Sequence, residues 1–178
     1  MINMKKKDSV FGLWNVIKNY GWNGFIKDSI IPMIISIVLC IMIYLTENDI
    51  TIQIKFLLNL GISVVPSMTA FILAAYTIML SFIFGKAKDK LKQTEDGRDL
   101  IKSINGGFAA CLLLSVLTII VLVFVSILVN LNIIIDCPNV VNYPTFFFVC
   151  YLLVYSVYVI FGVVIDLFNS GQTILLEK

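Results

Sequence analysis

Four apolar runs constrain this chain more than any other feature it has. Residues 30–45, 56–84, 104–129 and 144–168 are nearly free of charge, and a helix needs roughly 17–25 residues to cross about 30 Å of hydrocarbon. The first run is short but extendable at both ends, and the second is long enough to tilt or to project beyond the bilayer. Over the 178 residues, 60% are hydrophobic and 13% charged, against about 25% charged in an ordinary soluble domain. A small soluble fold buries only part of its surface, so lipid must be the solvent for much of this chain. Strands of a membrane barrel would be shorter and would alternate in polarity. The expected fold is therefore all-α: a four-transmembrane-helix bundle over 30–168, preceded by a segment, 1–29, and followed by a tail, 169–178.

The distribution of positive charge predicts the orientation. Residues 1–29 hold five lysines, and residues 85–103 hold Lys86, Lys88, Lys90, Lys92, Arg98 and Lys102. The alternate loops, 46–55 and 130–143, hold Lys55 alone. Lys and Arg in short flanks stay on the cytoplasmic side, so both chain ends and the 85–103 hinge are expected there. Twelve of the thirteen basic residues are Lys, and Ile and Asn are abundant, a bias that suits an AT-rich gene and an expected bacterial plasma membrane. The segment 1–29 is too long before its apolar run, and "LTEN" after that run too bulky, for a cleaved signal peptide; a retained anchor is expected. Ser29 is placed as the cap of the first helix, with Pro32 in its first turn.

Val10, Leu13, Trp14 and Ile17 recur at helical spacing, with Lys5, Lys6 and Lys7 before them. Residues 9–26 therefore read as an interfacial amphipathic helix on anionic lipid, broken near Gly21 and Gly24. Tyr143, Phe146, Phe147 and Phe148 are expected to form an aromatic belt at the outer interface. In the hinge, the lysine-rich stretch continues the second helix, "TEDGRD" at 94–99 turns at Gly97, and a helix restarts at Leu100. That makes a short cytoplasmic helical hairpin with six basic and four acidic residues. Lys86, Lys88, Lys90, Lys92 and Arg98 then contact lipid headgroups or dock a soluble protein partner. The acids argue against direct nucleic-acid binding, which depends on cation excess.

Within the bilayer, small or polar residues fall on helical stripes. In the second span Asn59, Ser63, Ser67, Ala70, Ala74, Thr77 and Ser81 share one face, beside Pro66, which should bend the helix. The third span carries Gly107, Cys111, Ser115 and Thr118, and the fourth carries Tyr151, Tyr155, Tyr158 and Gly162, then Asp166 and Asn169. Membrane helices associate through small residues and polar contacts, so the stripes predict one bundle and a homo-oligomer contact. The other reading is that the second-span face lines a pore. Asp166 is the one carboxylate inside a spanning run; it either pairs with Lys86 or Lys88 or serves gating.

The chain has no histidine, which excludes imidazole chemistry. Its four cysteines, Cys40, Cys111, Cys137 and Cys150, have no metal-ligand spacing, and Cys137 in a short external loop is the one disulfide candidate. No phosphate-binding loop or nucleophile–base pair occurs. No cofactor, metal or enzymatic activity is expected. The reading is a non-enzymatic oligomeric sensor or scaffold that recruits a cytoplasmic partner through the hinge. The alternatives are a pore or transport subunit, or an assembly subunit of a larger membrane enzyme.

This plan of four spans, a Lys-rich amphipathic start and a basic hinge at Lys86–Lys102 resembles small membrane proteins of bacterial antiphage defence, such as the membrane component of the Kiwa system. The resemblance implies an inner-membrane homo-oligomer that senses infection and works with a cytoplasmic DNA-binding partner. It rests on the hydropathy plan, with no motif, so it carries over no site residue.

Overall fold

A computed structural model describes residues 21–46, 49–84, 95–131 and 139–176, and inside these some side chains at the helix ends are not described. The described residues form four helices: α1 (Trp22–Leu45), α2 (Ile50–Phe84), α3 (Glu95–Asn130) and α4 (Asn139–Leu176). Each holds a stretch long and apolar enough to cross a membrane: Asn23–Leu45, Ile50–Ser81, Ile104–Asn130 and Val140–Ile165. The chain is a multi-pass, all-helical membrane protein. At about 1.5 Å per residue, all four helices exceed the hydrocarbon thickness of about 30 Å, α1 by the least.

The first two helices end where their apolar runs do, at Leu45 and Phe84, but every helix starts earlier than the sequence expectation. The first helix starts at Trp22, just after Gly21, whose φ of 84° is a left-handed conformation that suits glycine. It runs through Gly24, so part of the expected interfacial segment belongs to the first span. Ser29 is consequently no cap, and Pro32 lies well inside α1 and not in its first turn. The proposed amphipathic helix falls mostly in residues 1–20, outside the described residues.

The connection between α1 and α2 is shorter than expected, because α2 begins at Ile50. Thr46 closes α1, its hydroxyl donating to the Met42 carbonyl at 2.8 Å. Asp49 opens α2 by accepting the Thr51 N–H at 2.8 Å, the usual role of an N-terminal cap. Lys55 therefore sits on a helix, and is exposed. The expected turn at 94–99 is also corrected: Glu95–Asp99 is the first part of α3, with Gly97 inside it. Acidic residues Glu95, Asp96 and Asp99 suit the positive end of a helix, and that outweighs one glycine. Residues 85–94, with Lys86, Lys88, Lys90 and Lys92, lie outside the described residues.

Helices α2, α3 and α4 pack against one another, and α1 packs along α4. Two apolar clusters fill the trio. Near the α1–α2 turn, Ile54, Leu58 and Val65 meet Leu122, Val125, Val129, Phe146 and Val149. Toward the opposite end, Ile72 and Met79 meet Ile104, Phe108, Cys111, Tyr155, Val159 and Val163. Gly61 permits the closest approach: a Cβ there would stand 2.7 Å from side-chain carbons of both Leu122 and Leu153. Phe146 belongs to this core, which corrects its place in an aromatic belt. Successive helical residues lie about 100° apart, so three consecutive phenylalanines cannot all face lipid; Phe148 is exposed and Phe147 stacks on Tyr151.

Candidate functional site

The small-residue stripes do not share one fate. On α3, Cys111, Ser115 and Thr118 are buried, and the Thr118 and Ser156 hydroxyls bond across to α4 at 2.8 Å. This stripe packs the bundle, as its spacing predicts. Gly107 is buried too, yet a Cβ there would meet nothing within 4 Å, so Gly61, and not Gly107, is the tight contact. An isolated glycine amid apolar residues was the only signal for it.

On α2 the outcome is reversed. Asn59, Ser63, Ser67, Ala70, Ala74, Thr77 and Ser81 are all exposed, because Ile54, Leu58, Gly61, Val65, Ile72 and Met79 hold the opposite side against α3 and α4. The expectation that this stripe joins the chain's own bundle is corrected. Its hydroxyls turn back on their own helix: Ser63 donates to the Asn59 carbonyl at 2.7 Å, Thr77 to Leu73 at 2.7 Å and Ser81 to Ile78 at 2.6 Å. Ser67 likewise reaches Ser63 at 3.3 Å. Asn59 lies nine residues into α2, about 14 Å along the helix, with its carboxamide facing outward. The helix continues through Pro66.

Beside this face runs an apolar groove of about 390 Å³ between α2 and α4, lined by Ser67, Met68, Phe71, Ile160, Phe161 and Val164. The face and the groove together leave a furrow on a surface otherwise studded with Phe56, Leu60, Ile62, Leu73 and Ile78.

The remaining expected sites are placed as follows. Arg98 lies in α3 and Asp166 in α4, but their side chains are outside those described, as is Cys137. The tyrosine stripe of α4 becomes a ladder in which Phe147, Tyr151 and Tyr155 stack at ring-centroid distances of 6.2 and 5.6 Å. It is turned toward α1: the Tyr151 and Ser29 hydroxyls are bonded at 2.8 Å, and Tyr155 donates to the Phe25 carbonyl at 3.2 Å. Gly162, further along, is exposed. Tyr76 donates to Asn105 at 3.1 Å between α2 and α3. Among the described residues, Cys40, Cys111 and Cys150 are free thiols, and no group of three His, Cys, Asp or Glu converges to hold a metal.

Nothing in this arrangement names a reaction. Its chemistry is that of a surface: a row of small and polar side chains at membrane depth, without bulk to fill the space beside it. Comparison of the chain with protein-family models, with curated proteins and with solved structures gives no match, so its function is argued from its own residues.

Proposed function

We propose that this protein is a non-enzymatic subunit of a homo-oligomeric sensor or scaffold in the bacterial inner membrane, and that it recruits a soluble protein through residues 85–103. The observation that carries the oligomer is the outward face of α2, and Asn59 most of all. A carboxamide facing hydrocarbon forgoes hydrogen bonds it would have in water, which is costly. Small side chains allow backbones to approach closely, and interhelical polar contacts add to the association of membrane helices. A second copy inserted the same way presents the same furrow, so a two-fold contact is open to it.

The recruiting role rests on charge. Both chain ends and the hinge carry nearly all the Lys and Arg, which puts them on the cytoplasmic side. Lys86, Lys88, Lys90, Lys92 and Arg98 then offer a basic docking surface, also in reach of anionic lipid. Antiphage defence is the setting that the overall plan suggests. Purification in nanodiscs with mass measurement tests the oligomer; a strictly monomeric particle at all protein-to-lipid ratios removes it. Co-purification of a cytoplasmic protein that survives in wild type and is lost in Lys90→Glu, Arg98→Glu supports docking, and equal recovery at low salt sinks it. A cysteine introduced at position 93 should be shielded from impermeant reagents outside cells.

A second reading has the same face of α2 lining a pore between subunits, favoured by the run of five polar side chains from Asn59 to Ser81. Ion flux through proteoliposomes that Ser67→Leu abolishes, with the oligomer intact, would select it.

A further inference from the structure

α1 starts part-way along the bundle, and the apolar groove between α2 and α4 opens just past its start. We propose that residues 9–20 of the same chain dock in this groove, so that the chain first crosses the membrane in two pieces joined at Gly21. The inference is separate from the oligomer proposed above, which has α2 residues outside the groove, such as Asn59 and Thr77, to use. The depth of α1 follows from its contacts. Tyr155 donates to the carbonyl of Phe25 at 3.2 Å, three residues from the start of α1. In the same tier Ser156 is bonded to Thr118 at 2.8 Å, and Gly61 lies against Leu153. From there the apolar stretches of α4, α3 and α2 run on, away from Leu45 and Ile50, to Ile165, Ile104 and Ser81. By the helical rise these distances are about 15, 21 and 30 Å. Three residues of α1 cover about 5 Å of that, so roughly 10–25 Å of apolar bundle continues beyond Trp22.

The groove lies within that stretch: Ser67, Met68 and Phe71 come after Gly61 on α2, and Ile160, Phe161 and Val164 after Tyr155 on α4. Phe161 is eighteen residues, about five full turns, past Tyr143, so it continues the line of α4 on which Tyr143 meets Tyr44 of α1. Gly21, with φ 84°, turns the chain as it enters α1, so the residues before it need not follow the axis of α1. The sequence of those residues fits the place. Val10, Leu13, Trp14 and Ile17 recur at helical spacing, an apolar face for an apolar groove. A volume of about 390 Å³ takes a few large side chains rather than a whole helix, which suits a face carrying Trp14 and Ile17. Lys5, Lys6 and Lys7 precede Gly21 by about 21–24 Å of helix, enough to bring them to the cytoplasmic headgroups, where lysine suits anionic lipid. Lys18, nearer Gly21, reaches toward the same headgroups along its own stem. A segment lying flat on that surface would have to start at the depth of Ile104 and Ser81, whereas Gly21 is held about one turn from the Tyr155 tier.

The test is disulfide cross-linking of the full chain in membranes, with the native cysteines replaced. Ile17→Cys is paired with Phe161→Cys in the groove and, as a control, with Leu113→Cys on α3. Both partner positions are exposed, and each lies five residues past the Thr118–Ser156 bond, so they share one depth. On mild oxidation the Phe161 pair should give a shifted monomer band on a non-reducing gel, severalfold stronger than the Leu113 pair. Equal yields at the two positions overturn the proposal. So does no product at Phe161, which leaves the groove to lipid, and so does a product that is solely dimeric, which gives it to a second copy. Fluorescence supplies a second readout, because Trp22→Phe leaves Trp14 as the one tryptophan. Phe71→Ala with Phe161→Ala, both at exposed positions, should shift the Trp14 emission to the red and raise its quenching by aqueous acrylamide. An emission that the two substitutions leave unmoved places Trp14 outside the groove and overturns the proposal.

Discussion

The small-residue faces of α2 and α3 read alike and end up on opposite sides of the packing. Both follow helical spacing and both mix hydroxyls with small apolar residues. Yet Cys111, Ser115 and Thr118 are buried among helices of the same chain, while Asn59 through Ser81 look outward. Spacing identifies a face on which another helix can come close. It does not say whose helix that is. On α2 the decision falls to bulk: Ile54, Leu58, Val65, Ile72 and Met79 fill the space between three helices, and only Gly61 among them is small. In lipid, where burying apolar surface gains little, the bulky face wins the interior by filling it, through dispersion contacts.

The comparison breaks most severely at Gly61. Gly61→Leu drives new carbons into Leu122 and Leu153, and the cost should exceed the roughly 1–3 kcal/mol of ordinary overpacking. Loss of a monodisperse particle in mild detergent would register it; a normal particle would mean that the trio is looser than its 2.7 Å contacts imply. Next comes Ala110→Leu on the buried side of α3, expected to destabilise the single chain by about 1–3 kcal/mol in denaturant titration. If Ala74→Leu on α2 destabilises the chain equally, the distinction between the two faces fails.

A finer probe is Thr118→Val, which removes the bond to Ser156 and should cost about 0.6 kcal/mol, with about 1.7 as an upper bound. Thr77→Val removes only a bond to its own helix, so its effect on unfolding should stay within about 0.5 kcal/mol. The smallest effect on folding belongs to Ala74→Leu itself: no change in the stability of the monomer, and a weakened oligomer by cross-linking. A shift in monomer stability without one in association would reverse the assignment of that face.

Ile72 shows what the stripes conceal. By sequence it lies off the small-residue face and looks like a lipid contact, but it is 2% exposed and central to one core cluster. Phe71, its neighbour, is exposed on the groove. Nothing in hydropathy separates the two. The same holds for Ser29 and Tyr155, whose partners lie more than 100 residues away in sequence. Pro32 and Ser29 misplaced the start of α1 because Lys27 and Asp28 look like the end of a span, although α1 carries them near its end, where charged side chains can reach the interface.

The sequence by itself determined that the chain crosses a membrane four times as helices, since only apolar stretches of that length satisfy the bilayer, and its Lys and Arg give the direction of crossing that we propose. It also marked the small-residue stripes of α2 and α3, because side-chain size is a local property, but not the closest approach of all, at Gly61. Tertiary structure alone decided which of those faces turned inward, that α1 rides on α4 outside the trio, and that Tyr151 and Tyr155 reach back to α1. Those outcomes depend on how three bulky surfaces fill one shared space, and in a solvent as apolar as the side chains themselves no local pattern of hydrophobicity can encode the result.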